Sequence, residues 1–260
     1  MVRQLLKSIA SLAAVAVLAC SVGFSQDTSN LRPPPYPGVL VRMQGVYVTP
    51  VAGVPLTAAV QLESKQTLPD GTTEVKKTVN NIARDLQGRI YNERRKWMNP
   101  AVGGAPLLLS VHVYDPVTGL NIFLDPATRI ARQTARLTRE PTQEVVVAPQ
   151  GAKSGTPVAG REMRVTEEDL GTQDMESVSV HGNRTSKTIS AEASGTGKPV
   201  VVTDEYWYSE ELHLNMLVKH TDPRTGEQTV TVTHVERNEP SSAMFQIPAG
   251  YKVVDETPEK

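Results

Sequence analysis

Five histidines, His112, His181, His213, His220 and His234, are the side chains best suited to ligate a metal or move a proton near neutral pH. No two of them stand at the His-x-x-x-His spacing of a helical zinc site. In the hairpin register argued below, His213 points away from His220 and His234. Those two share a face but lie about six residues apart along the ladder, roughly 20 Å at ~3.3 Å per residue. They read as isolated surface or edge histidines, and the pattern implies no metal site and no cofactor. Gly195-Thr196-Gly197-Lys198 comes nearest to a phosphate loop. The full motif needs a glycine five positions before Gly197 and a Ser or Thr after the lysine, where this chain has Glu192 and Pro199. There is no Gly-x-Ser-x-Gly elbow for a serine nucleophile. Asp85, Asp115, Asp125 and Asp222 all fall in turn phrases. Paired carboxylates facing one cleft are not visible in a linear pattern. Hydrolase chemistry therefore stands only as a third alternative.

The aromatic cluster Tyr206-Trp207-Tyr208 is more informative. On a strand, Tyr206 and Tyr208 share one face and Trp207 takes the other. Such a cluster serves as core packing or as the rim of an apolar ligand cavity, where amphipathic rings suit one greasy and one wet end. Arg94-Arg95-Lys96 reads as a solvated strand end.

The elements that would position these residues are strands. Ala58, Val60 and Leu62 alternate with Ala59, Gln61 and Glu63, the period of a strand with one buried face. Pro69-Asp70-Gly71 turns the chain, and Thr72 to Ala83 returns as the partner. Asp85-Leu86-Gln87-Gly88 turns it again into Arg89–Trp97, and Leu107, Leu109, Val111 and Val113 fall on one face of the next strand. Asp115-Pro116-Val117-Thr118-Gly119, Asp125-Pro126-Ala127-Thr128 and Asp222-Pro223-Arg224-Thr225-Gly226 repeat one turn chemistry. Asp accepts local backbone hydrogens, Pro presets the second position, and Gly accepts a left-handed backbone. The strands flanking the three turns are unlike, so this is no sequence repeat.

The C-terminal hairpin permits a register test. Pairing Thr221 with Glu227 sets Val218 against Val230, Met216 against Val232 and Leu214 against His234. One face then collects Leu212, Leu214, Met216, Val218, Val230 and Val232, and the other holds Asn215, Lys219, Thr229, Thr231 and Thr233. A slip of one residue would set the Thr row against the apolar row. The apolar face, with Tyr206 and Tyr208 at its edge, is the candidate ligand-binding surface.

The ends of the chain bear on destination. Arg3 and Lys7 precede an apolar run from Ile9 to Leu18, with small residues following to Ser25, the make-up of a bacterial export signal over residues 1–25. The run is too short for a stable span of a bilayer of ~30 Å. Two processing readings stand: cleavage before Gln26, or lipidation of Cys20 within Val17-Leu18-Ala19-Cys20. Cys20 is the single cysteine, so cleavage at Gln26 leaves no disulfide, thiol nucleophile or thiolate metal site. Residues 26–51 form a Pro/Gly-rich lead-in, and residues 52–255 a single β domain with a flexible insertion at about 138–160. The formal net charge of −1, with both signs interspersed, argues against nucleic acid as a partner.

The closing phrase Phe245-Gln246-Ile247-Pro248-Ala249-Gly250-Tyr251 follows Glu205-Tyr206-Trp207-Tyr208 and its amphipathic strand. With the export signal and the long meander, it resembles the LolA-type fold of bacterial lipoprotein carriers and sorting proteins, including the RseB-type sensor domain. Over residues 50 to 255 the chain also resembles uncharacterised exported envelope proteins of acidobacterial type. The phrases that match there are Asn81-Ile82-Ala83-Arg84-Asp85, Gly88-Arg89, Asn92-Glu93-Arg94-Arg95 and the Asp-Pro turns. Those relatives imply no activity.

The LolA resemblance implies an antiparallel sheet curled around an apolar cavity. The expected fold is accordingly mainly β, a long antiparallel meander curled into an unclosed half-barrel or two-layer sheet. The expected function is an envelope binding protein for a lipid, acyl chain or lipoprotein on the concave face. The alternative is a non-catalytic structural or interaction module that binds an envelope protein partner through sheet edges or the insertion. The expected location is the periplasm or the outer-membrane periphery, alternatively secretion, with no transmembrane span in the mature chain.

Overall fold

The computed structural model describes residues 45–68, 70–135 and 164–258. The expected export signal, the expected lead-in before residue 45 and the expected insertion at about 138–160 lie outside the described residues. The first run of strands is β1 (Leu56–Thr67), β2 (Thr73–Arg84), β3 (Ile90–Arg95), β4 (Leu108–Asp115), β5 (Leu120–Asp125) and β6 (Ile130–Ala135). The second is β7 (Arg164–Met175), β8 (Val178–Ile189), β9 (Val200–Ser209), β10 (Leu214–Asp222) and β11 (Gly226–Glu236), closed by β12 (Lys252–Asp255). A four-residue helix, α1 (Ala191–Ser194), sits between β8 and β9.

All twelve strands join one sheet in the order β12-β6-β5-β4-β3-β2-β1-β11-β10-β9-β8-β7, which does not close into a barrel. The expected mainly-β, unclosed architecture is what forms. Two features go beyond a simple meander. The chain makes two meanders, which meet where β11 pairs antiparallel with β1, and β12 pairs parallel with β6.

The turns follow the aspartate chemistry. Asp115 Oδ1 accepts the Val117 amide at 2.8 Å, Asp125 Oδ1 the Ala127 amide at 2.9 Å, and Asp222 Oδ1 the Arg224 amide at 2.9 Å. The residue after each Asp-Pro-x-Thr phrase is left-handed: Gly119 and Gly226 in two copies, and Arg129 with φ 54° in the third. Gly226 has a further reason to be glycine, since a Cβ there would collide with the carbonyl oxygen of Lys65.

The sheet changes which side it buries. Across β1 and β2 the buried side carries Leu56, Ala58, Val60, Leu62 and Ile82, joined in one cluster by Val178, Val180, Leu212, Leu214, Met216, Val230 and Val232. Across β4 to β6 the buried side is the opposite one. There Val111, Val113, Ile122, Leu124 and Ala131 pack against Phe245, with Met244, Ile247 and Tyr251 alongside. The Phe-Gln-Ile-Pro-Ala-Gly-Tyr phrase is thus the cover of the second core. Leu107 and Leu109, expected to share a face with Val111 and Val113, are exposed. The ladder shifts between Arg94 and Arg95, which interrupts the alternation on that side.

The first core is enclosed because the sheet curls. Arg84 at the end of β2 is fully buried and donates from Nη2 to the carbonyl oxygen of Leu212 at 2.7 Å, in the turn between β9 and β10. In a flat sheet β10 would lie three strand spacings away, about 14 Å. The same guanidinium donates from Nε to Val54 and from Nη1 to Thr49, each at 2.7 Å. It thereby fixes the end of the lead-in, whose Val46 and Val48 are buried in the first core. Burial pulls its pKa down to about 10, so it remains charged at neutral pH.

Candidate functional site

Register shows which side chains share the concave face. One row runs Leu56, Arg84, Ile90, Tyr114, Asn121, Thr134 across β1 to β6, and the next runs Ala58, Ile82, Asn92, His112, Phe123, Arg132. Each strand contributes alternate residues, so the rows follow from the period of two. Where the rows leave the first core they border an open groove of about 420 Å³ lined by Tyr47, Pro50, Ile90, His112, Tyr114, Asn121 and Thr134. The lead-in supplies one wall through Tyr47 and Pro50.

The groove has an apolar floor and a few polar handles. His112 Nε2 lies 3.1 Å from Asn121 Oδ1, and the imidazole stacks on Phe123 with centroids 4.5 Å apart and planes 12° from parallel. Phe123 is half exposed, as is Tyr47. An aromatic ring left in water at the lip of an apolar groove is a ready contact for an apolar ligand.

The residues proposed from sequence fall into two groups. Leu212, Leu214, Met216, Val230 and Val232 are buried together in the first core, and Val218 packs against it. Val218 faces Val230, as the register argument required, and on its other side Tyr206. The ladder between β10 and β11 stops at Leu217–Thr231, so the pairings Met216–Val232 and Leu214–His234 do not form. A bulge between Asn215 and Leu217 shifts β10 against β9, and Leu212 lies in the turn, outside the strands. Tyr206 and Tyr208 are buried at 6% and 7% exposure but stand outside the cluster, while Trp207 belongs to it. The ring of Trp207 covers Gly182, where a Cβ would come within 2.7 Å of it.

Of the groove residues only His112 was singled out from sequence, and it was read there as an isolated surface or edge histidine. Their signal was present in the alternation of Ile90 with Asn92, His112 with Tyr114 and Asn121 with Phe123, but each strand is short and mixed. On the opposite face, Glu93 is 7% exposed and accepts from Asn81 N, Asn81 Nδ2, Tyr91 Oη and Arg95 Nε at 2.8 to 3.1 Å. Burial pushes its pKa up, and the bonds from Arg95, Tyr91 and Asn81 outweigh that and hold it below the usual carboxylate range. This is a structural knot, with every carboxylate oxygen engaged.

Among the described residues no group of three His, Cys, Asp or Glu side chains is placed to hold a metal ion. Among the same residues no helix is long and apolar enough to cross a membrane.

No family model and no curated protein sequence matches the chain. Several solved structures do. An uncharacterized conserved protein from Thermus thermophilus is similar at 9% identity and a TM-score of 0.39, covering 78% of this chain and 90% of that one. The MucA/MucB complex from Pseudomonas aeruginosa gives 10% identity and a TM-score of 0.35, over 78% of this chain and 58% of that one. A LolA superfamily protein from Nitrosomonas europaea gives 8% identity and a TM-score of 0.29, over 75% and 91% of the two chains.

Proposed function

We propose that this chain is a non-catalytic binding protein of the bacterial envelope that holds a lipid, an acyl chain or a lipoprotein's acyl groups on the concave face of its sheet. The observation that carries the reading is the groove beside Ile90 and Tyr114, which continues the apolar rows of the first core into open space. Its volume of about 420 Å³ falls within the range of small-molecule sites. In this proposal Tyr206, Val218 and Val230 extend that face by register, Leu212, Leu214, Met216 and Val232 form the packed core behind it, and Tyr208 stands at its edge. Association would rest on apolar burial at about 25 cal/mol per Å², so affinity should change little with salt. The proposed location, periplasm or outer-membrane periphery, rests on the charged, apolar and small-residue order of residues 1–25.

Native and denaturing mass spectrometry of detergent-free protein tests the reading. Extra mass that vanishes on unfolding supports it and reveals the class of ligand. A bare chain that also fails to take up a fluorescent acyl probe overturns it.

One observation favours the interaction-module reading. β7 is twelve residues long, stands at the end of the sheet and is largely exposed. A strand edge of that length offers backbone donors and acceptors to an extended peptide. Cross-linking to an envelope protein that is lost when β7 carries a proline would move the weight to that reading.

A further inference from the structure

The polar side chains of the groove are set to donate. His112 Nε2 lies 3.1 Å from Asn121 Oδ1, and a carboxamide oxygen only accepts, so Nε2 carries the hydrogen whether the ring is neutral or charged. Asn121 Oδ1 is thereby engaged. Its Nδ2 has only the Gly119 carbonyl oxygen at 3.5 Å, a long contact that leaves at least one amide hydrogen free. The hydroxyls of Tyr114 and Thr134, in the same lining, form no hydrogen bond with any of the described residues. By register both stand directly beside Asn121, one on each neighbouring strand. The one handle of fixed sense, the Asn121 amide, donates, and two hydroxyls can turn to donate beside it.

The charges around the groove select the same kind of ligand. Its described lining contains no carboxylate. Arg84 pairs with Ile90 and so stands two strand spacings from Tyr114, roughly 10 Å. Its guanidinium is bonded to three carbonyl oxygens and, among the described residues, to no carboxylate, so no ion pair cancels its charge. The other nearby charges are cancelled or turned away. Asp85 is tied to Arg89 at 2.6 Å, Arg132 at the lip is paired with Glu256, and Glu93 lies on the opposite face with Arg95. A net positive field remains, and because its source is buried, salt screens it little. The lining itself holds no Lys or Arg, so a doubly charged phosphate would lack the direct contacts that offset its lost hydration.

We propose that the groove binds a monocarboxylic acid with an apolar tail, its carboxylate received by Asn121 Nδ2 and the Tyr114 and Thr134 hydroxyls, its tail lying over Ile90 and Pro50. This names the ligand class of the carrier reading above and rests on it. The test is equilibrium binding of oleate, methyl oleate and oleyl phosphate to the purified full chain, each as monomers and each measured by displacement of a fluorescent acyl probe. The expected result is oleate bound about ten-fold more tightly than methyl oleate, the size of one hydrogen bond to a charged group, and more tightly than oleyl phosphate. Asn121→Asp, nearly the same shape, sets a carboxylate where the amide donated. It should erase the preference and keep methyl oleate binding, which doubles as its folding control. If that variant does not fold, Tyr114→Phe, which removes one hydroxyl, should reduce the preference several-fold. Methyl oleate or oleyl phosphate bound as tightly as oleate, or a preference untouched in the variants, overturns the carboxylate assignment alone. Displacement by none of the three lipids sinks the carrier reading with it.

Discussion

The guanidinium of Arg84 reaches the carbonyl oxygen of Leu212 across two intervening strands, and with Thr49 and Val54 it ties the second strand, the lead-in and the β9–β10 turn at one buried point. Three carbonyls depend on one side chain. Arg84→Met should cost about 3–5 kcal/mol in denaturant unfolding, because it strands those acceptors in the core. Arg84→Lys keeps the charge but loses the forked geometry, and should recover only part of the loss. A cost under about 1 kcal/mol for the methionine variant would show that the curl is held elsewhere.

Two glycines are fixed by what stands over them. Gly182→Ala drives a methyl into the Trp207 ring and should cost about 1–3 kcal/mol. Gly226→Ala faces backbone, the Lys65 carbonyl, and cannot be relieved by a side-chain rotation; its cost should exceed that of Gly182→Ala. Thermal unfolding of the two variants side by side checks the order.

Glu93 sets an acid limit to stability. Its folded pKa is held below the ordinary carboxylate value, so its contribution is fully present above the unfolded pKa and is lost as pH falls through the folded one. Unfolding free energy measured from about pH 7 down to about pH 3 should fall in the wild type. Glu93→Gln should start lower and fall less steeply, since it has no such proton to take up. Parallel curves for the two proteins would remove Glu93 from the acid response.

The lip of the groove can be cut back without touching the core. Phe123 and Tyr47 are 50% and 45% exposed, so Phe123→Ala and Tyr47→Ala should each change stability by less than about 1 kcal/mol. Together they should weaken binding of an acyl probe by about ten-fold. Met216→Lys is the contrasting case: with Met216 at 0% exposure, the charge should unfold the domain rather than empty a site. Circular dichroism recorded beside the binding curves separates the two effects.

Local patterns carried much of this fold. The Thr row opposite the apolar row set Val218 against Val230, and the three Asp-Pro turns matched their chemistry. What was not legible is non-local. Nothing near Asn215 marks the bulge that shifts β10 against β9, because one extra residue leaves the composition of a strand unchanged. Val111 and Val113 read as a buried face, but the covering Phe245 comes from the far end of the chain. Arg84 carries no mark of its role in the sequence, because the Leu212 carbonyl it binds lies 128 positions away. The groove suffers most, since its lining draws on the lead-in and on four short strands at once.

The bond from Gln61 Nε2 to Thr233 Oγ1 joins residues 172 positions apart, at the seam where the two meanders meet. Contacts of that separation are slow to form, because the intervening loop must close before any bond rewards it. The first meander can assemble hairpin by hairpin, yet β1 keeps one ladder unmatched until β11 has been synthesised and arrives. Completion is therefore a late event for this polypeptide. For most of its synthesis the chain stays short of its final, compact state, the condition in which a threaded passage through a membrane pore is open to it.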